Sequence, residues 1–536
     1  MSMKFEIIWK VFSFFLITQL LQGCVAKEEQ DIDQQPTVRS FNYGTLSDYQ
    51  RTLIDDFIES MFPHGSSLDQ VMADDVSIRS TTRLALALLF RDDEGDRENA
   101  IEILKWILKH QHLDEKAKIY GAWKTSVQND KLDQNWREFV GCDLIIIYHN
   151  HRDLLPDELL EKIKNGLVHA AIGAMKRDVT PQYTNISVMS AFLMNYVGTA
   201  FDNQELKAAG TQKAHDINTL FHRHNTFSEF NSPTYDGVSL VGFALWRELS
   251  QGEMKSMGIK LEQSLWKEIA AHYHPTLKNI SGPYFRAYGM DMKKYVSIAG
   301  LWIAIALDDE TRAPMPNGKG AKYFEVSNIA PIYHLGLSIS ESTFQVLKGQ
   351  VKPTFLDQRI PNSIFAGDSI KHATFQMNNN WMMGGLWGNR RSWNQIYTGT
   401  VHWMSRKDET EWLLVPGNGH TNVSVSDTSM RIFTVESDPD HSGKRELKLY
   451  VYSSEASEEH FSGDIWRLGN MQFNIHTDLF YNYAEIINPS PKNTQSSISE
   501  YYSKVAEISF KIPENWEADN PLIEIFPRYV LTQNPK

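Results

Sequence analysis

The chain has 536 residues, of which 42% are hydrophobic and 12% aromatic, and this composition is typical of a folded protein with a large core. This length predicts two domains rather than one. The formal net charge of −13 and the lack of a basic run argue against nucleic acid as a partner, whereas a local basic pocket on an acidic surface can still bind an anion.

The N-terminal region contains a short apolar segment, residues 11–21, which follows Lys4 and Lys10. A basic start with a short apolar core is typical of a secretory signal peptide, and the segment is too short to span a bilayer. No later segment is long and apolar enough to predict a transmembrane helix.

The apolar segment ends in the sequence LQGC at 21–24, which resembles the lipobox of bacterial lipoproteins. The resemblance implies a signal peptide over 1–23, lipidation of Cys24 and a polar tether over 24–44. The sequence KEE at 27–29 resembles the tags that direct some Gram-negative lipoproteins to the outer face of the cell. We therefore expect a lipid anchor in the outer membrane, on the periplasmic or cell-surface side. An ordinary signal peptide with a chance cysteine is the alternative.

Residues 45–312 have helical periodicity, with apolar residues such as Ile101, Leu104 and Leu108 on one face. The predicted helices are 81–90, 98–109, 136–148, a helix opened by Pro156, 187–198, 203–221, 238–249, 261–273 and 295–307. Short joints between successive helices make antiparallel hairpins, and about five or six such hairpins that close on themselves form an α/α toroid. An open solenoid of the same hairpins is the alternative.

The pattern changes after the helical region, where Gly, Asn, Ser and Thr become more frequent. Residues 447–451 and 508–512 alternate apolar with more polar side chains, as half-buried antiparallel strands do. The sequence PGNG at 416–419 predicts a turn. We expect a linker at 313–322, rich in Pro and Gly, and a β-sandwich over 323–536. The predicted fold is therefore an α+β multidomain protein, with an α/α toroid followed by an antiparallel β-sandwich.

The residues best suited to chemistry are concentrated between 221 and 295, in segments where helices join. Polar and aromatic groups gathered at the mouth of a toroid are what a carbohydrate cleft requires. The candidates are His222, His224, Glu229, Asn231, Tyr235, Asp236, His272, His274, Tyr284, Arg286, Tyr288 and Asp291. The spacing of His222 and His224 does not align two metal ligands on a helix face, and we expect neither a metal nor a cofactor.

The sequence EFNSPTY at 229–235 resembles the Glu-x-Ser-Pro-x-Tyr segment of the heparinase and alginate-lyase superfamily. Those polysaccharide lyases have an α/α toroid followed by antiparallel β-sheet. Their tyrosine in this segment takes part in proton transfer, so the resemblance implies that role for Tyr235. Their upstream asparagine helps to bind the uronate carboxylate, and Asn185 is the matching residue. Ile186 and Asp236 depart from the pattern, because the family often has histidine at both positions.

A lyase of this kind removes the C5 proton of a uronic acid and expels the C4 oxygen, so it must neutralise the adjacent carboxylate. Asn185 and Arg286 are the predicted carboxylate ligands, since an amide donates without a charge and a guanidinium donates a bidentate fork. Tyr235 and Tyr288 are predicted catalytic residues, because a nearby cation can depress the pKa of a phenol from about 10 and make it a base.

Other residues complete the predicted site. His272 and His274 are further candidates for the base or for neutralising the carboxylate, with an interaction at a helix C-terminus as the alternative. The remaining predicted substrate contacts are Asn231, Tyr284, Trp393, His402 and Trp403. The last three lie in the second domain, where tryptophan faces could stack on sugar rings. An aromatic core between the domains is the alternative for that cluster.

The sequence therefore predicts a polysaccharide lyase that cleaves a uronic-acid glycan between toroid and sandwich. A glycoside hydrolase is the second hypothesis, and it needs two carboxylates about 5–5.5 Å or about 6.5–9.5 Å apart. The available acids are Asp143, Glu229, Asp236 and Asp291. A non-catalytic glycan-binding lipoprotein is the third hypothesis. The expected partners are an acidic polysaccharide or oligosaccharide and, through the anchor alone, a membrane.

Overall fold

The computed structural model describes most of the chain after residue 35. The described residues are 36–129, 131–349, 351–361, 371–435, 446–490, 494 and 501–530. The predicted signal peptide over 1–23, Cys24 and the first part of the tether lie outside the described residues. In the described part of the chain, no helix has the length and hydrophobicity that crossing a membrane requires.

The first half of the described chain is helical. Its α-helices are α1 (Asp48–Met61), α2 (Leu68–Val71), α3 (Ile78–Arg91), α4 (Asp96–Leu108), α5 (Trp136–Asn150), α6 (Asp157–Arg177), α7 (Thr184–Ala200), α8 (Gln204–His224), α9 (Tyr235–Leu249), α10 (Gly252–His272), α11 (Ile298–Leu307), α12 (Ile329–Leu335) and α13 (Glu341–Lys348). The helices predicted from periodicity are all present. The largest difference is at α10, which begins at Gly252 and so extends further toward its N-terminus than predicted.

The helices form a ring of two layers. Helices α3, α5, α7 and α9 form the inner layer, and α4, α6, α8 and α10 pack outside them. The inner helix α7 is buried on all sides from Thr184 to Gly198, so it has no solvent-facing polar face of the kind that an amphipathic surface helix shows. Helix α12 packs against both α9 and α3, which closes the ring. The predicted toroid is therefore confirmed, and the open solenoid is excluded.

Side chains from distant parts of the chain meet where the ring closes. The rings of Phe90 and Tyr333 lie 5.5 Å apart, and Nε2 of His151 is hydrogen-bonded to Nε2 of His334 at 2.8 Å. Burial, with a smaller contribution from His151, lowers the pKa of His334 from 6.5 to about 3. The structure therefore holds His334 in its neutral form at the closure of the ring.

This neutral histidine predicts a pH-dependent stability. Between pH 6.5 and pH 3 the unfolded chain binds a proton at His334 that the native state does not bind. The stability that the neutral His334 contributes is therefore lost as the pH falls below 6.5. At pH 5 the penalty should be about 2 kcal/mol, from 1.36 kcal/mol per pH unit. We expect His334→Gln to be less stable than wild type at pH 8, because its contact with His151 is broken. At pH 5 the difference in free energy of unfolding between the two proteins should be smaller by about 2 kcal/mol.

Denaturant unfolding of wild type and His334→Gln at pH 8 and pH 5 measures the difference in stability between them. His64 is exposed, and His64→Gln is the matched control, whose offset from wild type should be the same at both pH values. An equal deficit of His334→Gln at both pH values would contradict the prediction.

The second half of the chain forms antiparallel sheets, and a few short strands lie before it. The strands are β1 (Tyr273–His274), β2 (Asn279–Ile280), β3 (Tyr284–Phe285), β4 (Thr354–Ile360), β5 (Lys371–Asn378), β6 (Trp381–Trp387), β7 (Ser392–Met404), β8 (Thr410–Asn418), β9 (Thr421–Val425), β10 (Met430–Thr434), β11 (Glu446–Tyr452), β12 (Ile465–Leu468), β13 (Met471–His476), β14 (Phe480–Ile487), β15 (Val505–Lys511) and β16 (Ile523–Tyr529). The alternating segments around 447–451 and 508–512 are strands β11 and β15, as predicted.

These strands make a β-sandwich. The larger sheet has the order β14-β15-β11-β8-β7-β6-β5-β4, with β3 also paired to β7, and the smaller sheet has the order β12-β13-β16-β10-β9. Apolar side chains from both sheets, such as Val401, Leu413, Val423 and Ile432, form the core between them. The predicted combination of a helical toroid with antiparallel β-sheets is confirmed.

Two details of the sequence analysis differ from the structure. Helices α12 and α13 lie beyond the linker predicted at 313–322, and the first strand that follows them begins at Thr354. These helices are short, so they leave a weak periodic signal in the sequence. Pro416 and Gly417 lie within β8 rather than in a turn, where Gly417 allows close contact with the carbonyl of Ile396.

The two halves are joined by more than the chain. Strand β3 comes from the loop between α10 and α11, and it pairs with β7 through Tyr284 opposite Tyr397 and Phe285 opposite Ile396. Gly384 on β6 packs directly against the carbonyl of Gly282, where a Cβ atom would overlap the backbone. The loop that follows β3 is therefore held against the sandwich by backbone contacts.

Candidate active site

Four segments of the chain meet at one end of the toroid. Helices α7 and α9 begin there, with Asn185 and Tyr235 in their first turns. The loop 225–234 joins α8 to α9, and the loop after β3 carries Arg286 and Tyr288. Three of the segments belong to the toroid, and the fourth is tied to the sandwich through β3. The site therefore lies at the boundary between the two halves of the molecule.

Ser232 fixes the start of α9 to the loop after β3. Its hydroxyl accepts a hydrogen bond from the backbone N–H of Tyr235 at 3.0 Å and donates one to the carbonyl of Arg286 at 2.9 Å. Its own backbone N–H donates to the carboxylate of Asp236 at 2.8 Å. The serine of the EFNSPTY segment thus accepts the first backbone N–H of α9 and positions the arginine at the same time.

Asn231 supports the same loop and is not placed to contact a substrate. Its side-chain amide donates to the carbonyls of Ser281 at 2.6 Å and Pro283 at 2.8 Å, and the residue is buried. Its φ of 49° is a left-handed conformation that asparagine tolerates better than most residues. The structure therefore gives Asn231 a positioning role instead of the predicted contact with a sugar.

A buried carboxylate, Glu229, lies at the centre of the site. It accepts hydrogen bonds from the backbone N–H of Asn185 at 2.7 Å and from the Asn185 side-chain amide at 2.8 and 3.0 Å, and it forms an ion pair with Arg286. Burial raises the pKa of Glu229, whereas Arg286 and Asn185 act in the opposite direction. The two predicted carboxylate ligands, Asn185 and Arg286, thus lie together, but both already bind a carboxylate of the protein itself.

The guanidinium of Arg286 is enclosed by aromatic rings. Its central carbon lies 4.0 Å from the ring centre of Tyr235, 4.9 Å from that of Tyr183 and 5.4 Å from that of Trp393. Burial alone would lower the pKa of Arg286, but Glu229 and the two tyrosines raise it, so the group stays charged. Trp393 is half-buried and is the predicted residue of the second domain that reaches the site.

Two phenols lie beside the arginine. The Oη atoms of Tyr235 and Tyr288 are 2.8 Å apart, within a hydrogen bond of each other, and both residues are partly exposed. The hydroxyl of Tyr501 donates to the carbonyl of Tyr288 at 2.6 Å, which fixes the backbone there. The ammonium of Lys322 lies 5.2 Å from the centre of the Tyr288 ring. The predicted pair Tyr235 and Tyr288 is thus brought together.

The protonation of Tyr235 differs from the sequence-based expectation. Burial raises its pKa well above 10, and this effect outweighs the opposing influence of Arg286. The guanidinium lies over the face of the ring rather than at the oxygen, and it is already paired with Glu229. Tyr235 is therefore a neutral phenol, which is suited to donating a proton rather than to accepting one.

The two predicted histidines lie away from the phenols. His272 is buried at the end of α10, where its Nδ1 is hydrogen-bonded to the Glu268 carbonyl and its ring packs 4.1 Å from that of Phe375. His274 is hydrogen-bonded through Nε2 to the carbonyl of Asn378 at 2.8 Å. Burial lowers the pKa of both rings to about 4. Both histidines are buried between toroid and sandwich, and each is hydrogen-bonded to a backbone carbonyl of the protein.

Three further predicted contacts are buried in the protein. Tyr284 donates its hydroxyl to the carbonyl of Ile280 and packs against His402. His402 and Trp403 follow each other on β7, so their side chains point to opposite faces of the sheet. His402 faces the toroid, whereas Trp403 lies in the sandwich core and donates to Glu411 at 2.9 Å. These residues therefore belong to the buried core at or beside the boundary between the domains, whereas Trp393 lies at the candidate site.

The sequence analysis missed some residues of the site. Glu229 was a candidate acid without an assigned partner, and Tyr183 was not among the candidates. Tyr183 accepts a hydrogen bond from the side-chain amide of Asn135 at 3.1 Å and packs on Arg286, so it extends the site toward α5. Among the described residues, no three His, Cys, Asp or Glu side chains group as a metal site requires.

A cavity of about 1300 Å³ lies between α1, the segment 291–294 and the turn that joins β7 to β8. Its wall includes Lys319 and Tyr323, and so it reaches the segment next to Lys322. Neither Asn185 nor Tyr235 lines this cavity. The cluster around Glu229 therefore lies outside the cavity, with only part of its aromatic side chains open to solvent.

The fold is thus an α/α toroid joined to a β-sandwich, with a phenol–guanidinium–carboxylate cluster between them. Residues 46–335 match the sequence profile of a family described as a domain of unknown function, DUF8769. This match spans more than half of the chain, and the protein belongs to that family. No curated protein matches the chain.

Solved structures that match the chain at low sequence identity include a heparinase III, a chondroitin AC lyase and a glycoside hydrolase. A heparinase III has 9% identity and a TM-score of 0.46, covering 93% of this chain and 87% of that chain. The chondroitin AC lyase of Streptomyces coelicolor A3, in complex with chondroitin sulphate, has 9% identity and a TM-score of 0.47, covering 91% and 80%. The glycoside hydrolase has 10% identity and a TM-score of 0.28, covering 93% and 80%.

Proposed function

We propose that the protein is a polysaccharide lyase that cleaves a uronic-acid glycan by β-elimination. The observation that carries the proposal is the hydrogen-bonded pair of Tyr235 and Tyr288, with Oη atoms 2.8 Å apart beside the buried Arg286. Two phenols in contact can accept one proton and donate another without a metal. The resemblance of residues 229–235 to the lyase segment supports the same reaction.

The two phenols take different roles in the proposed reaction. Tyr288, in its deprotonated form, takes the C5 proton of the uronate. The C4–O bond breaks as the C4=C5 double bond forms, and Tyr235 gives its proton to the departing oxygen. The proton on Tyr288 then passes to Tyr235 along their hydrogen bond, which restores the starting state. The raised pKa of Tyr235 supports its role as the donor.

Arg286 and Glu229 hold this arrangement in place. The guanidinium lies against the Tyr235 ring, and the ion pair with Glu229 keeps it there without leaving an unbalanced charge in the interior. Trp393 and Tyr183 are half-buried aromatic rings beside the arginine, and the sugar ring stacks on one of them in the proposed complex.

The positions of the acidic residues favour elimination over hydrolysis. Asp143 pairs with Arg83 at 3.0 Å, and Asp236 accepts the backbone N–H of Ser232. Asp291 and Glu229 are also buried, the latter against Arg286. A hydrolase needs two carboxyl groups facing the glycosidic bond, and all four of these acids are buried, with Asp291 at the wall of the cavity of about 1300 Å³.

A product assay tests the proposal. The purified protein is incubated with a panel of acidic polysaccharides, and the ultraviolet absorbance of the products is followed. Elimination leaves a conjugated unsaturated uronate that absorbs, whereas hydrolysis leaves new reducing ends without that absorbance. Reducing ends without absorbance would indicate a hydrolase, and binding without any product would indicate a glycan-binding protein.

We also propose that Cys24 carries the lipid that anchors the protein in the outer membrane, on the basis of the LQGC sequence. The expected result is that the protein made in a Gram-negative cell partitions into the detergent phase, whereas Cys24→Ala remains in the aqueous phase. Phase separation followed by mass spectrometry of the N-terminus measures this. A wild-type protein that begins elsewhere than Cys24 and carries no lipid would contradict the proposal.

A further inference from the structure

A small pocket lies beside Tyr288, where the toroid meets one end of strands β11, β14 and β15. It has a volume of about 290 Å³, and its walls include Lys294 of the toroid and Tyr452, Tyr501 and Lys504 of the sandwich. We call it the lysine pocket. The hydroxyl of Tyr501 donates to the carbonyl of Tyr288 at 2.6 Å, so a single tyrosine side chain links the pocket to the proposed base.

Tyrosine rings form a fixed wall of the lysine pocket. The centre of the Tyr452 ring lies 4.4 Å from that of the buried Tyr502. The centre of the Tyr501 ring lies 5.3 Å from that of the buried Tyr295. Tyr452 and Tyr501 are themselves half-buried, so part of each ring stays open. Rings that are held in this way and have one polar end suit contact with a sugar, which presents both C–H groups and hydroxyls.

Two ammonium groups give the lysine pocket its charge, since Lys294 is half-buried and Lys504 is exposed. Over the described residues, neither side chain forms a hydrogen bond or an ion pair. The charge of Lys294 acts on Asp291, because Lys293 and Lys294 oppose the rise that burial causes in the pKa of that carboxyl. Asp291 is buried, however, and accepts hydrogen bonds from the Tyr502 hydroxyl at 3.3 Å and the Lys293 N–H at 2.9 Å. Both ammonium groups are therefore available to an anion.

The larger cavity of about 1300 Å³ is less suited to binding an anion. It shares Lys294 with the lysine pocket, but its described wall carries more carboxylates than lysines, among them Asp56, Glu310 and Glu409. The described wall of the lysine pocket carries no Asp or Glu side chain. An anion in the lysine pocket therefore meets two lysines without carboxylates on the described wall, although the whole chain has a net charge of −13.

We propose that the lysine pocket binds a second acidic sugar of the glycan chain whose cleaved residue lies at Tyr235 and Tyr288. This inference rests on the proposed function, because it takes the phenol pair as the place where the chain is cut. Lys294 and Lys504 form charge-assisted hydrogen bonds with the carboxylate of that sugar, and its ring lies against the tyrosine wall. Two anchored positions favour a long chain over a disaccharide, so the preferred substrate is a polymer in which acidic sugars recur.

Binding of oligosaccharides of two lengths tests the lysine pocket without turnover. The Tyr235→Phe protein is titrated calorimetrically with disaccharides and hexasaccharides of glucuronate, galacturonate and mannuronate, each beside its carboxyl-reduced form. Adding Lys294→Met and Lys504→Met together should weaken binding of the acidic hexasaccharide about 10- to 100-fold, as expected for the loss of two partly solvated charged hydrogen bonds. Binding of the acidic disaccharide and of the reduced hexasaccharide should change less than about threefold.

Two further variants control for charge and for folding. Lys278→Met with Lys319→Met removes the same charge from the wall of the larger cavity and leaves the lysine pocket intact, so hexasaccharide binding should change less than about threefold. Lys294→Arg with Lys504→Arg keeps both charges and should bind within a few-fold of the parent. Denaturant unfolding of the Lys294→Met, Lys504→Met protein should match the parent, because methionine retains most of the aliphatic stem.

Affinity for the acidic hexasaccharide that does not depend on Lys294 and Lys504 overturns the inference. An equal loss for disaccharide and hexasaccharide, an equal loss in the control variant, or no binding of any acidic oligosaccharide overturns it too. Lysine-dependent hexasaccharide binding by a protein that forms no unsaturated product supports the second binding position and contradicts the lyase proposal. Unsaturated product formed with the same KM by wild type and the Lys294→Met, Lys504→Met protein supports the lyase proposal and overturns the inference.

Discussion

Tyr235→Phe is expected to lower kcat/KM for β-elimination of an acidic polysaccharide by about 10²- to 10⁴-fold, because in the proposed mechanism it removes the proton donor for the departing oxygen. The ring itself should keep its place against Arg286, since phenylalanine retains the packing surface and the face that attracts a cation. The hydroxyl's hydrogen bond with Tyr288 is the contact that is lost, so stability should change by only about 1 kcal/mol. The initial rate of absorbance increase measures the effect.

The two phenols should act as one unit. Tyr288→Phe is expected to lose activity to a similar extent, and the double variant should be little worse than either single variant. Tyr196→Phe is the control, because the Tyr196 hydroxyl is hydrogen-bonded to His149 on another part of the toroid, and full activity is expected. A Tyr235→Phe protein with more than a third of wild-type activity would remove Tyr235 from the reaction.

Glu229→Ala should destabilise the protein by about 3–5 kcal/mol, because it leaves the Arg286 cation buried without its counter-charge. Arg286 is only 6% exposed, so water cannot readily take the place of the lost carboxylate. The Asn185 amide loses its acceptor at the same time. Denaturant unfolding measures the loss in free energy, and activity should fall with it as the loop after β3 loses its attachment.

A double-mutant cycle separates the ion pair from simple loss of volume. Arg286→Met keeps much of the side-chain length without the charge, so Glu229→Ala combined with Arg286→Met should be less destabilised than the two single changes added together. Glu229→Gln retains the shape and a carbonyl acceptor for Asn185 while removing the charge, and it should fall between Glu229→Ala and wild type. Additive losses in the cycle would mean that Glu229 and Arg286 do not depend on each other.

The helical half of the fold could be predicted because its outer helices carry a strong 3.6-residue period. Ile101, Leu104 and Leu108 mark α4. The closing of the ring was a further expectation, because the same hairpins could also have formed an open solenoid. The helices after the linker could not be predicted in the same way. Helix α12 has only seven residues, and Pro331 in its first turn resembles a helix breaker unless the start of the helix is already known.

The centre of the site was predicted in part. Asn185, Tyr235, Arg286 and Tyr288 do lie together, as the motif and the spacing of the loop residues indicated. The partners within this group were not predictable, since a sequence does not show that Glu229 takes up the amide and the guanidinium. The prediction that a nearby cation lowers the pKa of Tyr235 was wrong for a related reason. It depends on burial, which a pattern of residue types in a loop does not reveal.

The residues that do not reach the site had one feature in common. His272, His274, Tyr284, His402 and Trp403 were chosen for their chemistry, and all five lie in the contact region between toroid and sandwich or inside the sandwich. Alternation along β7 could have separated His402 from Trp403, because adjacent residues of a strand cannot face the same cleft. For His272, His274 and Tyr284, the sequence did not show that the side chains are buried.

Strand β3 has a consequence for how this protein can be divided. The loop that carries Arg286 and Tyr288 is held by β7, and the N–H of Ala287 donates to the carbonyl of Gln395 at 2.8 Å. The family profile ends at residue 335, yet the toroid cannot order this loop without the sandwich. Toroid and sandwich are therefore not interchangeable modules. A chimera that joins this toroid to another protein's sandwich would inherit the proposed catalytic residues but not the contacts that position them.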